Sequence, residues 1–360
     1  MKKNISLSLT PILLTTTFLL TIESSLTIAV TKPIPTVIAQ GIEKEDKIGE
    51  WKNIKIIHTL KGHTSKIESL TFTSDSQVLF SGGSTNEPRL RLWQVSNGCQ
   101  LNDVRAHRTA VVSMVTSSDG RILATSSEDG GMSLWTLENG EFSRMFIDHS
   151  SNILALAISP DSRRLVSGGL DGIRVWDLEK QRPYYTLVRF ENPTYALAVH
   201  PNNSLLVSST NEGVVQFWNL TTGTRISEFM AHQKRVSALA FTPDGKYLIT
   251  ASHDRQIKVW DVATGRLIQL LVGHPDQIRA IAVHPSGTVI ASGSNDGVRV
   301  WNLTTGELIN QLKGHRDWVQ SLAFSPDGKV LASGGFDKVI NLWQSVPLEE
   351  ADEVTVVLDQ

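Results

Sequence analysis

Short apolar runs, separated by turn residues, fill most of the chain. In each of seven consecutive stretches, three runs precede a tight turn and a fourth follows it. Pro-Asp-Gly at residues 243–245, Asp-Gly at residues 171–172 and Thr-Gly at residues 264–265 are examples of the turns. These residue types favour tight reversals between antiparallel strands. The pattern therefore predicts an all-β chain made of four-stranded antiparallel meanders.

Tryptophan marks the same position in every stretch, at intervals of 41 or 42 residues. The seven are Trp93, Trp135, Trp176, Trp218, Trp260, Trp301 and Trp343. A unit of about 40 residues cannot bury its own apolar face and must stack against copies of itself. Seven such sheets predict a seven-bladed β-propeller.

The first run of each unit alternates small and large residues. These runs are residues 67–72, 111–116, 153–158, 194–199, 236–241, 278–283 and 319–324. Their third residue is always Ser or Ala, and their fourth is always Leu, Ile or Met. Because successive strand residues face opposite sides, each blade offers a small face to one neighbour and a large face to the other.

The repeated string resembles the WD-repeat family. It is clearest in the fifth unit, with Ala231-His232, then Pro-Asp-Gly at residues 243–245, Asp254 and finally Val-Trp-Asp at residues 259–261. Seven copies in phase cover residues 54–343. The resemblance implies a seven-bladed β-propeller of four-stranded antiparallel sheets, and a hydrogen-bond network within each blade joining a histidine, a strand hydroxyl, a turn aspartate and the tryptophan.

Five units carry the complete set of network residues. They are His107, Thr125, Asp129 and Trp135; His149, Ser167, Asp171 and Trp176; His232, Thr250, Asp254 and Trp260; His274, Ser292, Asp296 and Trp301; and His315, Ser333, Asp337 and Trp343. The first unit has Thr85 at the aspartate position, and the fourth has Phe190 and Glu212 for histidine and aspartate. We expect those two blades to be less protected from hydrogen exchange, because a buried network stabilises only when every member is satisfied.

Ring closure is predicted from an extra run at residues 54–60. Leu-Lys-Gly-His at residues 60–63 is identical to residues 312–315, which follow a fourth run. The early run should therefore be a fourth strand. Since it precedes the first blade, we expect it to complete the seventh and leave no open sheet edge.

Composition fits one large domain without a nucleic-acid partner. The chain has 360 residues, of which 40% are hydrophobic, and its 34 Lys and Arg against 36 Asp and Glu give a formal charge of −2. No basic cluster is interleaved with aromatic residues along the sequence, so nucleic-acid binding is not expected.

The N-terminus has the features of an export signal. Lys2 and Lys3 precede an apolar stretch at residues 5–20, and Val-Ile-Ala at residues 37–39 offers a cleavage site before Gln40. We predict a signal peptide at 1–39, a linker at 40–51, the propeller at 52–345 and an acidic tail at 346–360, in a periplasmic or extracellular protein. Alternatives are an uncleaved membrane anchor, which would be the one contact with a membrane, and retention in the cytoplasm.

Metal, cofactor and covalent chemistry find little support. The histidines of the repeat lie on six different blades without short ligand spacing, so we expect neither a metal nor a cofactor. Cys99 is the single cysteine and has no partner for a disulfide. The aspartates recur in phase, whereas a catalytic dyad would break the symmetry. We therefore expect no enzymatic activity.

The family resemblance implies protein binding at the rim of the channel mouth. Rim positions lie three residues after the histidine and one before the turn aspartate. The candidates at these positions are Lys66, Leu170, Arg235, His253, Trp318 and Phe336. Arg279, a charged residue of an inner strand, joins them. Aromatic anchors beside arginine are typical of interaction hot spots, although a loop capped by its own apolar residues would look similar.

The functional hypothesis is a non-catalytic, exported scaffold that binds one or more proteins. The alternative is a propeller enzyme or small-ligand binder with its site at the channel mouth. Asymmetric polar residues converging on the mouth would favour the second, while near-identical inner strands favour the first.

Overall fold

Tight turns divide the chain into strands at the predicted period. The computed structural model describes residues 51–138, 141–147, 149–189 and 193–346. These residues form seven four-stranded antiparallel sheets, and this confirms the all-β, seven-bladed propeller. We number the blades by their first strand.

Each of blades 1 to 6 contains four consecutive strands. Blade 1 has β2 (Ile67–Phe72), β3 (Val78–Gly83), β4 (Arg89–Gln94) and β5 (Gln100–Arg105); blade 2 has β6 (Val111–Thr116), β7 (Ile122–Ser127), β8 (Gly131–Thr136) and β9 (Glu141–Ile147); blade 3 has β10 (Ile153–Ile158), β11 (Arg164–Gly169), β12 (Gly172–Asp177) and β13 (Arg182–Arg189). Blade 4 has β14 (Ala196–Val199), β15 (Leu205–Ser209), β16 (Val214–Asn219) and β17 (Arg225–Met230); blade 5 has β18 (Val236–Phe241), β19 (Tyr247–Ser252), β20 (Gln256–Asp261) and β21 (Leu267–Val272); blade 6 has β22 (Ala280–Val283), β23 (Val289–Ser294), β24 (Gly297–Asn302) and β25 (Leu308–Leu312).

Blade 7 joins the two ends of the propeller. It contains β26 (Val319–Phe324), β27 (Val330–Gly335), β28 (Val339–Ser345) and the first strand of the chain, β1 (Ile54–Lys61), which pairs antiparallel with β28. The register runs from Ile54 opposite Ser345 to Lys61 opposite Val339. The predicted closure by the early run is therefore confirmed.

The first strands of the blades form the inner ring. They contact one another in the cyclic order β26, β2, β6, β10, β14, β18, β22 and back to β26. Five have the predicted bounds, while β14 and β22 begin two residues later than the pattern indicated.

Glycines on the second strands allow these neighbours to approach closely. A Cβ on Gly293 would lie 2.7 Å from Val319 Cγ1 of the next blade, and one on Gly334 would lie 3.0 Å from Ile67 Cγ2. The packing between blades thus uses a small residue on the second strand as well as the predicted one on the first.

Trp51 extends the core beyond the predicted propeller boundary. This last residue of the predicted linker is 0% exposed, and its ring meets Phe324 and His284 edge-on at centroid distances of 5.0 and 5.6 Å. It belongs to the apolar cluster between blades 6 and 7. Its buried position fixes the chain where β1 enters the seventh sheet.

The predicted signal segment, most of the linker and the acidic tail lie outside the described residues. Within the described part, no helix is long and apolar enough to cross a membrane.

Candidate functional site at the channel mouth

The two ends of the propeller carry different loops. Because consecutive hairpins in a meander turn at alternate ends, the histidine loops and the acidic turns share one end. The Pro-Asp-Gly and Thr-Gly turns share the other. We call the first end the His face. The inner ring opens there in the channel mouth.

A relay of hydrogen bonds supports the loops of the His face. In blade 5, Trp260 Nε1 donates to Thr250 Oγ1 at 3.0 Å, and that hydroxyl lies 2.7 Å from His232 Nε2. His232 Nδ1 lies 2.9 Å from the Asp254 carboxylate. The hydroxyl accepts from Trp260 and donates to Nε2, so the neutral histidine with its proton on Nδ1 satisfies every member.

Three other blades repeat this geometry. The His to hydroxyl distance is 2.7 Å in each, between His149 and Ser167, His274 and Ser292, and His315 and Ser333. The tryptophans donate to these hydroxyls at 2.7 to 2.8 Å, and the histidines lie 2.5 to 2.9 Å from Asp171, Asp296 and Asp337.

The network carboxylates are held in the ionised form. Burial opposes their ionisation, but hydrogen bonds outweigh it. For Asp171, the bonds from His149 and the backbone of Ser150 lower the pKa to about 2. For Asp254, the bonds from His232 and the backbone of Gln233 lower the pKa to about 2. These carboxylates hold the loops through hydrogen bonds, and their low pKa makes them weak bases.

Blade 1 has an acid, contrary to the expectation from Thr85. Two extra residues move the carboxylate along the chain, and Glu87 takes its place. Glu87 accepts from the backbone of Thr64 at 2.6 Å and from Arg91 Nη2 at 2.7 Å, and it lies 3.3 Å from His63 Nδ1. Burial lowers the pKa of His63 despite this carboxylate. Blade 1 therefore has an acid near its histidine, but His63 Nδ1 has no hydrogen-bond partner among the described residues, and the expectation of a softer first blade stays a prediction.

Blade 2 also departs from the predicted pattern. His107 and Trp135 both meet Thr125, at 2.9 and 3.1 Å, but His107 Nδ1 is 4.0 Å from Asp129 Oδ1. Asp129 accepts from the backbone of Arg108 and Gly131. Within the described residues, His107 Nδ1 has no hydrogen-bond partner. The predicted set of four is thus brought together only in part.

Blade 4 keeps the tryptophan and hydroxyl pair without a histidine. Trp218 Nε1 donates to Ser208 Oγ at 2.9 Å. The Ser208 hydroxyl donates to the amide oxygen of buried Gln216, and the Gln216 amide nitrogen donates to Glu228. Phe190, predicted at the histidine position, lies outside the described residues.

Four of the seven predicted rim residues form one connected group. The Arg279 guanidinium stacks over Trp318 and Phe336 at 4.6 and 5.2 Å from the ring centroids, and the Lys66 ammonium lies 5.0 Å from the Phe336 centroid. Arg235 Nη2 lies 2.9 Å from His253 Nε2, and the guanidinium stacks on Tyr195 at 4.7 Å. Tyr195 and Arg235 precede the inner strands of blades 4 and 5, next to blade 6, and the positive charges of Arg235 and Arg279 both act on the His253 ring. We call these side chains together the mouth cluster: Lys66, Tyr195, Arg235, His253, Arg279, Trp318 and Phe336.

The two arginines of the mouth cluster are only partly satisfied. Arg279 Nη1 donates to Gln320 at 3.2 Å, and the Nε atoms of Arg235 and Arg279 are buried without a hydrogen-bond partner in the described part of the chain. Burial, then the charge of Arg235, lowers the pKa of Arg279 although Glu68, Asp276 and Asp317 act in the opposite direction. Burial and the charges of Arg235 and Arg279 lower the pKa of His253 to about 4, so this histidine is neutral at pH 7.

Leu170 stands apart from the mouth cluster. It lies on blade 3 and is 39% exposed. Tyr195 and Gln320 are the members of the site that sequence reasoning missed. Both occupy the inner-strand position that Arg279 occupies, five residues after the histidine position, and that shared position was the available signal.

A second concavity on the His face lies beside the extra residues of blade 1. It has a volume of about 440 Å³, and Arg89, Arg91, Arg105 and Arg108 line it. Arg89 pairs with Asp103, and Arg91 pairs with Glu87. In the described residues, no group of three or more metal-ligating side chains occurs there or elsewhere.

Comparison with known proteins places the repeats in a family. The family model described as WD domain, G-beta repeat matches residues 54–94, 98–136, 140–177, 182–219, 223–261, 265–302 and 306–344. The end of each match lies within one residue of the end of the third strand of a blade, which is the strand that carries the tryptophan.

Curated relatives match about half of the chain. The Target of rapamycin complex subunit wat1 of Schizosaccharomyces pombe is 29% identical over 189 residues, which are 50% of this chain and 59% of that protein. Pre-mRNA-processing factor 19 of Bos taurus is 27% identical over 40% of this chain and 29% of its own length. Apoptotic protease-activating factor 1 of Rattus norvegicus is 26% identical over 49% of this chain and 14% of its own length. The chain therefore spans less than two thirds of each of these relatives.

Proposed function

The chain belongs to the WD-repeat family, and from that premise we propose that it is a non-catalytic scaffold that binds proteins through its His face. The name of one relative, a subunit of the Target of rapamycin complex, supports a role in assemblies for proteins of this type. A propeller hosts many activities, so the proposal depends on the site and not on the fold.

The observation that carries the proposal is the mouth cluster. It breaks the repeat symmetry on one side of the channel mouth, where Trp318 and Phe336 are half-buried beneath a guanidinium. Tryptophan, tyrosine and arginine dominate interaction hot spots, and the two aromatic residues bury a large area with little loss of conformational freedom.

The carboxylates support a non-catalytic role. Asp171, Asp254, Asp296 and Asp337 each hold a histidine loop through hydrogen bonds, and each has a lowered pKa. A general base requires a pKa near the working pH. The pKa values of these carboxylates are shifted away from the working pH, and this favours the scaffold over the alternative of an enzyme at the channel mouth.

Export is the second part of the proposal. Lys2, Lys3, the apolar stretch at residues 5–20 and the cleavage motif before Gln40 support it. An uncleaved anchor would instead tether the protein to a membrane. The intact mass of the protein recovered from the envelope distinguishes these two forms, since a mature chain beginning at Gln40 has lost the anchor.

The test is a double substitution at the mouth cluster. Trp318→Ala with Phe336→Ala should abolish capture of partner proteins from the native envelope fraction while the protein stays folded. Ile226→Ala with Met230→Ala is the matched control, because these outer-strand side chains are 58% and 62% exposed and lie on β17. Unchanged capture by the mouth variant, with a normal melting transition, would exclude the mouth cluster as the binding site.

A further inference from the structure

The two arginines of the mouth cluster differ in their partners from three other arginines of the His face that are at least half-buried. Arg91, Arg174 and Arg299 each have a carboxylate oxygen within 4 Å, at 2.7 to 3.1 Å. Among the described ion pairs, neither Arg235 nor Arg279 has such a partner. Their nitrogens meet only the neutral His253 and the amide of Gln320. Their charge is therefore available to a ligand.

Contacts with aromatic rings restrict both guanidinium groups before any ligand binds. Tyr195 lies under Arg235, and Trp318 and Phe336 lie under Arg279. A guanidinium held in this way presents its remaining N–H groups in a fixed fork, which matches the two oxygens of a carboxylate or phosphate. Less side-chain entropy is lost on binding, because the rotamers are already restricted.

The local charge favours an anion at this point. The positive charge of Arg235 acts on Arg279, and both side chains are half-buried. The carboxylates of Glu68, Asp276 and Asp317 also act on Arg279, but among the described ion pairs none of them pairs with either guanidinium, and Glu68 pairs with Lys66 at 2.6 Å. An anionic group between the two guanidiniums would relieve their repulsion in a site of reduced dielectric, where the attraction is stronger than in water.

Apolar side chains complete the channel mouth on the opposite side. Val112 and Leu154 occupy the inner-strand position of Arg279 on blades 2 and 3, and Leu170 is exposed on blade 3. The mouth therefore has a cationic sector and an apolar sector. A ligand that matches both has acidic groups and large apolar side chains close together.

We propose that the mouth cluster binds an acidic segment of a partner protein, with oxyanions held by Arg235 and Arg279 and neighbouring apolar side chains against Leu170. This inference rests on the proposed scaffold function and names its class of partner. The oxyanion is the carboxylate of Asp or Glu or the phosphoryl group of a modified side chain, since both have the same bidentate geometry.

A protein segment fits the site better than a nucleic acid. A guanidinium lies over one face of each of the Tyr195 and Trp318 rings, so those faces are not open to stack on bases. Asp276 and Asp317 act on Arg279 and would repel anionic groups beyond those that the two guanidiniums bind, so a segment with spaced acidic groups fits better than a continuous phosphate backbone.

The direct test is fluorescence anisotropy with fluorescein-labelled peptides. The probes are a peptide of alternating Glu and Leu, the same peptide with phosphoserine for Glu, the same peptide with Gln for Glu, and a single-stranded oligothymidine. Arg235→Gln with Arg279→Gln should weaken binding of the better anionic peptide by about tenfold or more. The tighter of the Glu and phosphoserine peptides identifies the source of the oxyanion.

The matched control removes the same charge from the same face. Arg105→Gln with Arg108→Gln alters two exposed arginines at the blade 1 concavity and should leave affinity within about twofold, because rim charges act mainly through screened attraction. If the Gln variant of the mouth cluster does not fold, Arg235→Lys with Arg279→Lys keeps the charge and should still weaken binding, since lysine lacks the planar fork.

Several results would overturn the inference. They are equal binding of the Gln peptide, equal loss in the control variant, tighter binding of the oligothymidine, and no binding of either anionic peptide. Envelope capture separates this failure from failure of the scaffold. If the arginine variant keeps partners that the Trp318 and Phe336 variant loses, the scaffold stands without acidic recognition.

Discussion

Trp51 offers the sharpest test of how the ring is closed. Its side chain is fully buried between blades 6 and 7, yet its Nε1 has no hydrogen-bond partner in the described part of the chain. Trp51→Ala therefore removes packing without breaking a hydrogen bond. We expect a loss of about 3–5 kcal/mol in the free energy of unfolding, which includes the edge-on contacts with Phe324 and His284.

The measurement is differential scanning calorimetry, checked by urea unfolding. For a domain of this size, each kcal/mol shifts the melting temperature by about 2 °C, so we expect a decrease of roughly 6–10 °C. Trp51→Phe is the matched variant. It keeps an aromatic edge against Phe324 and should recover more than half of the loss, since no donor is needed at this site.

The outcome distinguishes an anchor from a passive linker. A melting temperature within about 2 °C of the parent protein for Trp51→Ala would show that the residues before β1 contribute nothing to closure. The same decrease in both variants would show that shape, and not buried area, dominates the site.

Two further predictions concern the network carboxylates. In urea unfolding, Glu87→Gln should cost about 2–4 kcal/mol, because it leaves Arg91 partly unpaired in a buried site, while Asp129→Asn should cost about 1 kcal/mol or less; equal costs would contradict the reassignment of the acid in blade 1. The pKa values of Asp171 and Asp254 are about 2, below the ordinary aspartate value of 3.8, so their contribution of about 2 kcal/mol each is fully present above pH 4 and is lost as pH falls from about 4 to 2. Urea midpoints across that range should fall more for the parent protein than for a variant with Asn at both positions.

The repeat made the fold predictable from sequence. Seven tryptophans in phase set the number of blades, and the identity of residues 60–63 with 312–315 revealed the closing strand. Both inferences depend on local spacing, which a structure built of copies preserves. The small face and the large face of each first strand followed from strand alternation alone.

Features outside the repeat could not be predicted in the same way. Trp51 precedes the first unit, so no other copy indicated that it is buried. Glu87 follows an insertion of two residues, and counting from His63 pointed to Thr85 instead. In blade 2 the residue types were right, but the loop leaves His107 and Asp129 4.0 Å apart.

The mouth cluster required the ring itself. Arg235 and Trp318 are far apart in sequence and belong to blades 5 and 7, and only closure brings them to one side of the channel. No basic cluster interleaved with aromatic residues occurs along the sequence, whereas the structure places three cations over three aromatic rings. Contacts between side chains of different blades depend on which side chains face the mouth, and the spacing of residues along the sequence does not predict this.

Hydrogen–deuterium exchange with a captured partner tests the central claim most directly. The account predicts that binding slows exchange in the mouth loops, at residues 234–237, 252–254, 317–320 and 335–337, and leaves the outer strands β17 and β21 unchanged. Protection confined to those outer strands, or to the Pro-Asp-Gly turns at the opposite end, would contradict it.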